Sequence, residues 1–226
     1  MSNLKDRLRW LWPTIISLSP AEQAADSAWK QQIGESVQEG DWTTESDVVL
    51  DESRRLFDAE VDRRKGADAK AGIYLAAITA LIPVLVSLLP TLWSGKFSKW
   101  LSVVGLLLFG LAVAFLLSAG AWAFKTLKVA GFAQLGPGEL ASTWKEGSPK
   151  ASLAKQLARA VLHNYSLVNE KVTGIKMTHE FLLRAFLTFT ILLVLQVVWP
   201  IGAWVVEEST KIMGAPAAAP LIMCYS

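Results

Sequence analysis

Cysteine is almost absent: the 226-residue chain holds one, Cys224, close to the end of the sequence. No intrachain disulfide can form, and a lone thiol cannot build a thiolate metal site. Histidine is nearly as scarce. His163 and His179 stand sixteen residues apart, too far along one helix to share a metal, and His179-Glu180 lacks a second ligand at helical spacing. There is no GxxxxGK[ST] phosphate loop, no HExxH, no GxSxG and no paired CxxC. An enzyme, a metal centre and a bound cofactor are therefore not expected.

A surplus of one charge is also missing. Lys and Arg number 22 against 20 Asp and Glu, a net of +2, and no tract concentrates enough cations to neutralise a run of phosphates. Nucleic acid is not an expected partner. Elsewhere charge is missing altogether: residues 71–95, 100–124 and 185–206 contain no Asp, Glu, Lys, Arg or His. A helix crosses a hydrocarbon core of about 30 Å with about 20 apolar residues, and each run meets that length. An ordinary soluble enzyme is excluded.

What is present reads as an all-α membrane protein with three transmembrane helices, a cytoplasmic helical stalk and the N-terminus inside. Eleven Lys and Arg flank the spans on the stalk side, among them Arg54, Arg55, Lys125, Lys128 and Arg184, against Lys96, Lys99 and Lys211 on the other. The positive-inside rule then sets the orientation. Trp93, Trp100 and Trp122 mark interfaces. Span one contains Pro83 and Pro90, where a kink is expected. Gly105, Gly110, Ser118 and Gly120 give span two small residues for close helix packing. Gln196 is the strongly polar side chain of span three; it pairs across a helix interface, lines an oligomeric pore, or meets Thr188, Thr190 or Ser87. With three spans and no charged midplane residue, a transporter is disfavoured.

The polar segments divide in order. An N-terminal helical segment, 1–45, precedes a stalk helix, 46–70, that enters the first span at 71–95. The second span, 100–124, leads through a connection, 125–148, to a second stalk helix, 149–184, and the third span, 185–206; an external tail, 207–226, follows. Lys5, Arg7 and Arg9 before Trp10–Leu18 look like a secretory signal, but Asp6 and Pro13 interrupt the pattern. Residues 2–18 read instead as a short amphipathic segment whose Trp10, Trp12, Ile15 and Ile16 lie in the lipid interface or pack on the helices behind it. Ser19-Pro20 starts a helix that Gly40 ends, and Thr43 or Thr44 caps the next. Gly136-Pro137-Gly138 marks a turn, and Ser148-Pro149 starts the second stalk helix. Its apolar stripe is expected at Leu153, Leu157, Val161, Asn164, Val168, Val172, Ile175, His179 and Leu182.

At the junction of stalk and span, Asp58, Glu60, Asp62 and Asp68 alternate with Arg54, Arg55, Arg63, Arg64 and Lys65. Such a pattern makes a salt-bridged helix face, or a basic site that captures an anion. The segment EVDRRKGADAKAGIYLAAITAL, residues 60–81, resembles the junction of Pycsar-type transmembrane effectors, small bacterial membrane effectors of cyclic-nucleotide antiphage defence. In that family a charged helix with an acidic residue, Ala-Asp and Lys-Ala runs into the first membrane helix, as Ala67, Asp68, Ala69, Lys70 and Ala71 do here. The helix HNYSLVNEKVTGIK, with Asn164, Asn169, Lys171 and Lys176, is similar to the one entering that family's last span. The similarity covers roughly residues 50–93 and 150–206.

The resemblance implies a multi-pass protein of the bacterial inner membrane that senses a cyclic nucleotide on its cytoplasmic helices and then assembles or rearranges its spans, as a homo-oligomer in the lipid bilayer, to impair the membrane. On charge and position alone, the ligand phosphate would meet Arg63, Arg64, Lys65 or Lys70 on one stalk and Lys171 or Lys176 on the other. A non-enzymatic scaffold that recruits a partner protein through its stalks fits the same amphipathic stripes.

Overall fold

The computed structural model describes residues 12–15, 18–93, 99–128, 131–145 and 147–213. Trp10 and Ile16, the 94–98 connection with Lys96, and the tail carrying Cys224 lie outside the described residues, as does the Trp93 side chain. Among the described residues five helices form: α1 (Pro20–Glu39), α2 (Ser46–Trp93), α3 (Lys99–Leu127), α4 (Pro137–Thr143) and α5 (Pro149–Met213). No strand is present among the described residues.

Ser19 caps α1 in a capping box with Glu22, Pro20 occupies the first turn, and the Gly40 N–H closes the helix on the Ser36 carbonyl at 3.0 Å. These bonds from Ser19 hold the Glu22 carboxyl below its ordinary range. α2 begins at Ser46, the residue expected, but its cap differs. Thr43 and Thr44 do not cap it; the Asp41 carboxylate takes the hydroxyls of both and the Thr43 N–H, Glu45 turns through φ 49°, and the helix begins at Ser46. The Thr43 hydroxyl bond, then its N–H, then Thr44 pull the Asp41 pKa down to about 2. A depressed folded pKa stabilises the turn above the ordinary carboxylate range and is lost as pH falls toward about 2. The expected turn at 136–138 is the start of α4, because Pro137 sits in a first turn, where its missing N–H costs nothing.

α2 runs unbroken for 48 residues through Pro83 and Pro90, and α5 for 65 through Pro200. α2, α3 and α5 are each long and apolar enough to cross a membrane. α3 lies antiparallel to the other two: Leu92 reaches Gly105, and Asp68 and Thr126 meet through Lys171. On α2 the inward positions recur every seven residues, Leu50, Phe57, Arg64, Ala71, Ile78, Leu85 and Leu92, each buried or half-buried. α5 answers with Leu157, Asn164, Lys171, Thr178, Ala185 and Leu192, all buried. A seven-residue seam is what two parallel helices keep when they wrap gently around each other. The expected stripe on α5 stays on the buried face through Val168 and then slips by one residue, leaving His179 exposed. The slip arises because Lys171, Gly174 and Thr178 occupy the buried positions and are not apolar.

In the stalk, Leu50, Leu153, Ala154 and Leu157 pack with Trp42 and Phe57. In the apolar part, Ile78, Leu85, Phe115, Leu116, Met177 and Phe181 pack together. Hydroxyls there bond to their own helices: Thr188 to the Arg184 carbonyl, Thr190 to that of Phe186 and Ser87 to that of Val84. None of the three is thus paired with Gln196, whose Nε2 is buried beside Leu92, Ser102 and Gly105 without a hydrogen-bond partner among the described residues. Asn164, fully buried, clamps the loop after α3 by donating to the Ala133 carbonyl (3.0 Å) and accepting its N–H (2.8 Å). Asn164→Ala removes both bonds and lowers stability by about 1–2 kcal/mol. The expected result is a lower thermal midpoint with faster proteolysis within 131–147.

Candidate functional site

The chemistry gathers where the stalk meets the apolar bundle. Lys171 stands on the inward column of α5, with its side chain 8% exposed. A buried ammonium is costly unless paired. It donates to Asp68 Oδ1 of α2 and to the Thr126 carbonyl of α3, each at 2.6 Å. Thr126 belongs to the last turn of α3, where carbonyls lack intrahelical donors and the helix end is partly negative, so a cation is doubly favoured there. One turn on, Gly174 lets α3 approach: a Cβ there would land on Thr126 Oγ1. Lys171 therefore ties all three long helices at one level.

Two grooves flank α5 at this level. Between α2 and α5 a groove of about 500 Å³ is lined by Lys70, Ile73, Tyr74, Ile175, Lys176, His179 and Glu180. The Tyr74 hydroxyl and His179 Nδ1 lie 3.2 Å apart. Neither Lys70 nor Lys176 has an ion-pair partner among the described residues, and Glu180 is bound to Arg184 at 2.6 Å. Two ammonium groups beside a phenol and an imidazole make a donor-rich wall, and the two isoleucines an apolar one. Such a surface takes an anion with an attached ring or chain.

The groove between α3 and α5, about 270 Å³, contains more cations but fewer available ones. Lys125 pairs with Glu170 at 3.1 Å and stacks over Trp122, and Lys171 is committed to Asp68. Lys128 alone among its lysines lacks an acidic partner among the described residues. The α2/α5 groove is the stronger anion site on this count.

The residues named for ligand phosphate thus separate. Lys70 and Lys176 share a groove. Arg63 is stitched to Glu60, donates to Asn169 Oδ1 at 2.9 Å and lies over Tyr165. Arg64 covers the Phe132 ring at 4.7 Å and stands 3.9 Å from Asp68 Oδ2. Lys65 points outward near Asp62. Sequence reasoning missed Tyr74, His179, Thr126 and Gly174 as members of the junction. The available signal was Gly174 and Thr178 in step with Lys171 and Asn164 on one side of the helix.

Among the described residues no group of His, Cys, Asp and Glu is arranged to hold a metal ion. No protein-family model matches the chain, nor does any curated protein or solved structure.

Proposed function

We propose that the chain is a multi-pass membrane effector gated from its stalk. An anionic ligand of the cyclic-nucleotide class enters the α2/α5 groove, where Lys70 and Lys176 hold its phosphate and Tyr74 and the isoleucines flank its ring. Occupancy changes the spacing of α2 and α5, and the bundle below rearranges to impair the membrane. The observation that carries this is continuity: α2 and α5 pass from stalk to bundle without a break, so whatever moves their upper halves moves their lower halves. The resemblance of residues 60–81 to membrane effectors of cyclic-nucleotide defence supplies the ligand class, and the cytoplasmic side of a bacterial inner membrane is where the stalk would then stand.

The test is the thermal stability of the solubilised protein against a panel of cyclic mono- and dinucleotides. A ligand that binds the folded state stabilises it by about 2.7 kcal/mol at a hundred times its dissociation constant. One nucleotide class is expected to raise the midpoint, with the rise lost in Lys70→Gln/Lys176→Gln and kept in Lys65→Gln. No shift with any nucleotide, in protein shown to be folded, would replace this function with that of a scaffold whose stalks recruit a protein.

A further inference from the structure

The groove between α3 and α5 lies at the depth where hydrocarbon gives way to headgroups. Trp100 and Trp122 of α3 are about 33 Å apart along the helix axis at 1.5 Å per residue. That distance matches a hydrocarbon core of about 30 Å, with a tryptophan at each edge. No charge falls between them, and Lys125 and Lys128 follow directly beyond Trp122. α2 sets the same boundary. Asp68 and Lys70 are its last charges before the apolar run, and Asp68 meets Lys171 on the wall of this groove.

The groove has room for one negative charge. Lys171 is balanced by Asp68, and Lys125 by Glu170, which leaves the exposed Lys128 as a single surplus cation. The carbonyl end of a helix ordinarily repels an anion. Here the Thr126 carbonyl receives Lys171 at 2.6 Å and the Phe124 carbonyl receives the Lys128 N–H at 3.0 Å, so that repulsion is largely cancelled. From Lys128 one face of α3 descends at spacings of three and four residues through Lys125, Ala121, Ser118 and Ala114, all exposed or half-buried. The Ser118 hydroxyl donates back to the Ala114 carbonyl at 2.8 Å. Below the two lysines the helix therefore presents a shallow track of small side chains with no free donor.

We infer that the α3/α5 groove is a binding site for a membrane phospholipid whose headgroup carries one net negative charge. Lys128 and Lys125 take the phosphodiester, the Trp122 ring lies against the glycerol, and an acyl chain follows Ala121, Ser118 and Ala114. Charge selects this occupant. A phosphodiester with no second charge matches the one surplus cation. A zwitterionic lipid brings an ammonium as well, and Glu170, the carboxylate lining the groove, is already held by Lys125. A free phosphate satisfies the lysines but leaves the apolar track empty. The site lies on the other flank of α5 from Lys70 and Lys176, so it stands without the nucleotide.

The test uses the full chain in a neutral detergent, with bound phospholipid counted per chain by native mass spectrometry. Phosphatidylglycerol, phosphatidylethanolamine and phosphatidylcholine with identical acyl chains are offered in turn. Phosphatidylglycerol is expected to be retained at least about tenfold more than either zwitterionic lipid, and Lys125→Gln/Lys128→Gln to abolish that preference. Lys128→Gln alone, which breaks no ion pair and so leaves the fold intact, lowers the preference in part, and Lys128→Arg keeps it. Circular dichroism shows that each variant retains its helices. Lys70→Gln/Lys176→Gln leaves lipid retention unchanged, which separates this site from the nucleotide groove. Excess glycerol phosphate does not displace the lipid, which separates a headgroup in its membrane from a free phosphate. Equal retention of the three lipids, a preference for the amine headgroup, or a preference indifferent to Lys125 and Lys128 would each overturn the inference. So would retention lost at Lys70 and Lys176 instead, or lipid displaced by glycerol phosphate.

Discussion

Lys171→Met lowers the thermal midpoint of the solubilised protein by an amount equivalent to about 2–4 kcal/mol, the largest expected loss for any single side chain of the junction. The ammonium is nearly inaccessible and serves two acceptors on two helices. Removing it leaves the Thr126 carbonyl without its donor and Asp68 without its close cation. Arg64, 3.9 Å from Asp68, and the one-third exposure of that carboxylate keep the cost from rising further. Asp68→Asn strands the ammonium instead and costs a similar amount. The double variant Lys171→Met/Asp68→Asn recovers a large part of the loss, because the unpaired charge is the expensive product of breaking the pair. Intrinsic tryptophan fluorescence during heating reads all three; single-variant losses that simply add in the double variant would count against the tie.

Gly174→Ala is expected to cost about 1–3 kcal/mol, and Gly174→Leu more, because the added carbon meets Thr126 rather than open space. The far end of a flexible side chain would move aside. The Thr126 hydroxyl is instead held by its own bond to the Trp122 carbonyl, 3.0 Å away on the same helix, and the Trp122 carbonyl itself lies 3.8 Å from the added carbon. Thr126→Ala removes the obstructing oxygen at little cost, as a hydroxyl bonded back to its own helix adds little stability. Gly174→Ala/Thr126→Ala should therefore be more stable than Gly174→Ala alone. That reversal is specific to a close approach of α3 and α5 and is measured on the same melting curves.

The long helices were legible because their signals are local: Ser19-Pro20, Gly40, Ser148-Pro149 and three runs without charge. The cap of α2 was not, since Asp41 takes the threonine hydroxyls that would have formed it. On α5 the hydrophobic stripe pointed one residue wide beyond Val168, as the true column there is a lysine paired with acceptors on two other helices, a glycine where α3 comes close, and a threonine whose hydroxyl donates to the Gly174 carbonyl of its own helix. The site was legible in part for the same reason. Charge and position found Lys70, Lys171 and Lys176, but only tertiary packing distinguishes a lysine spent on Asp68 from two that face an open groove.

Lys171 fastens α2, α3 and α5 at a single height, and the notch at Gly174 bars α3 from sliding along α5 there. α3 ends at this height with Leu127, so only α2 and α5 run on past the pin, as two levers on a common fulcrum. Were their stalk arms spread, the arms beyond the pin would close, and drawing the stalk arms together would open them. At 65 residues α5 is roughly 98 Å long, with about a third of that length above the pin, so its lower arm is the longer one and magnifies whatever the upper arm is given.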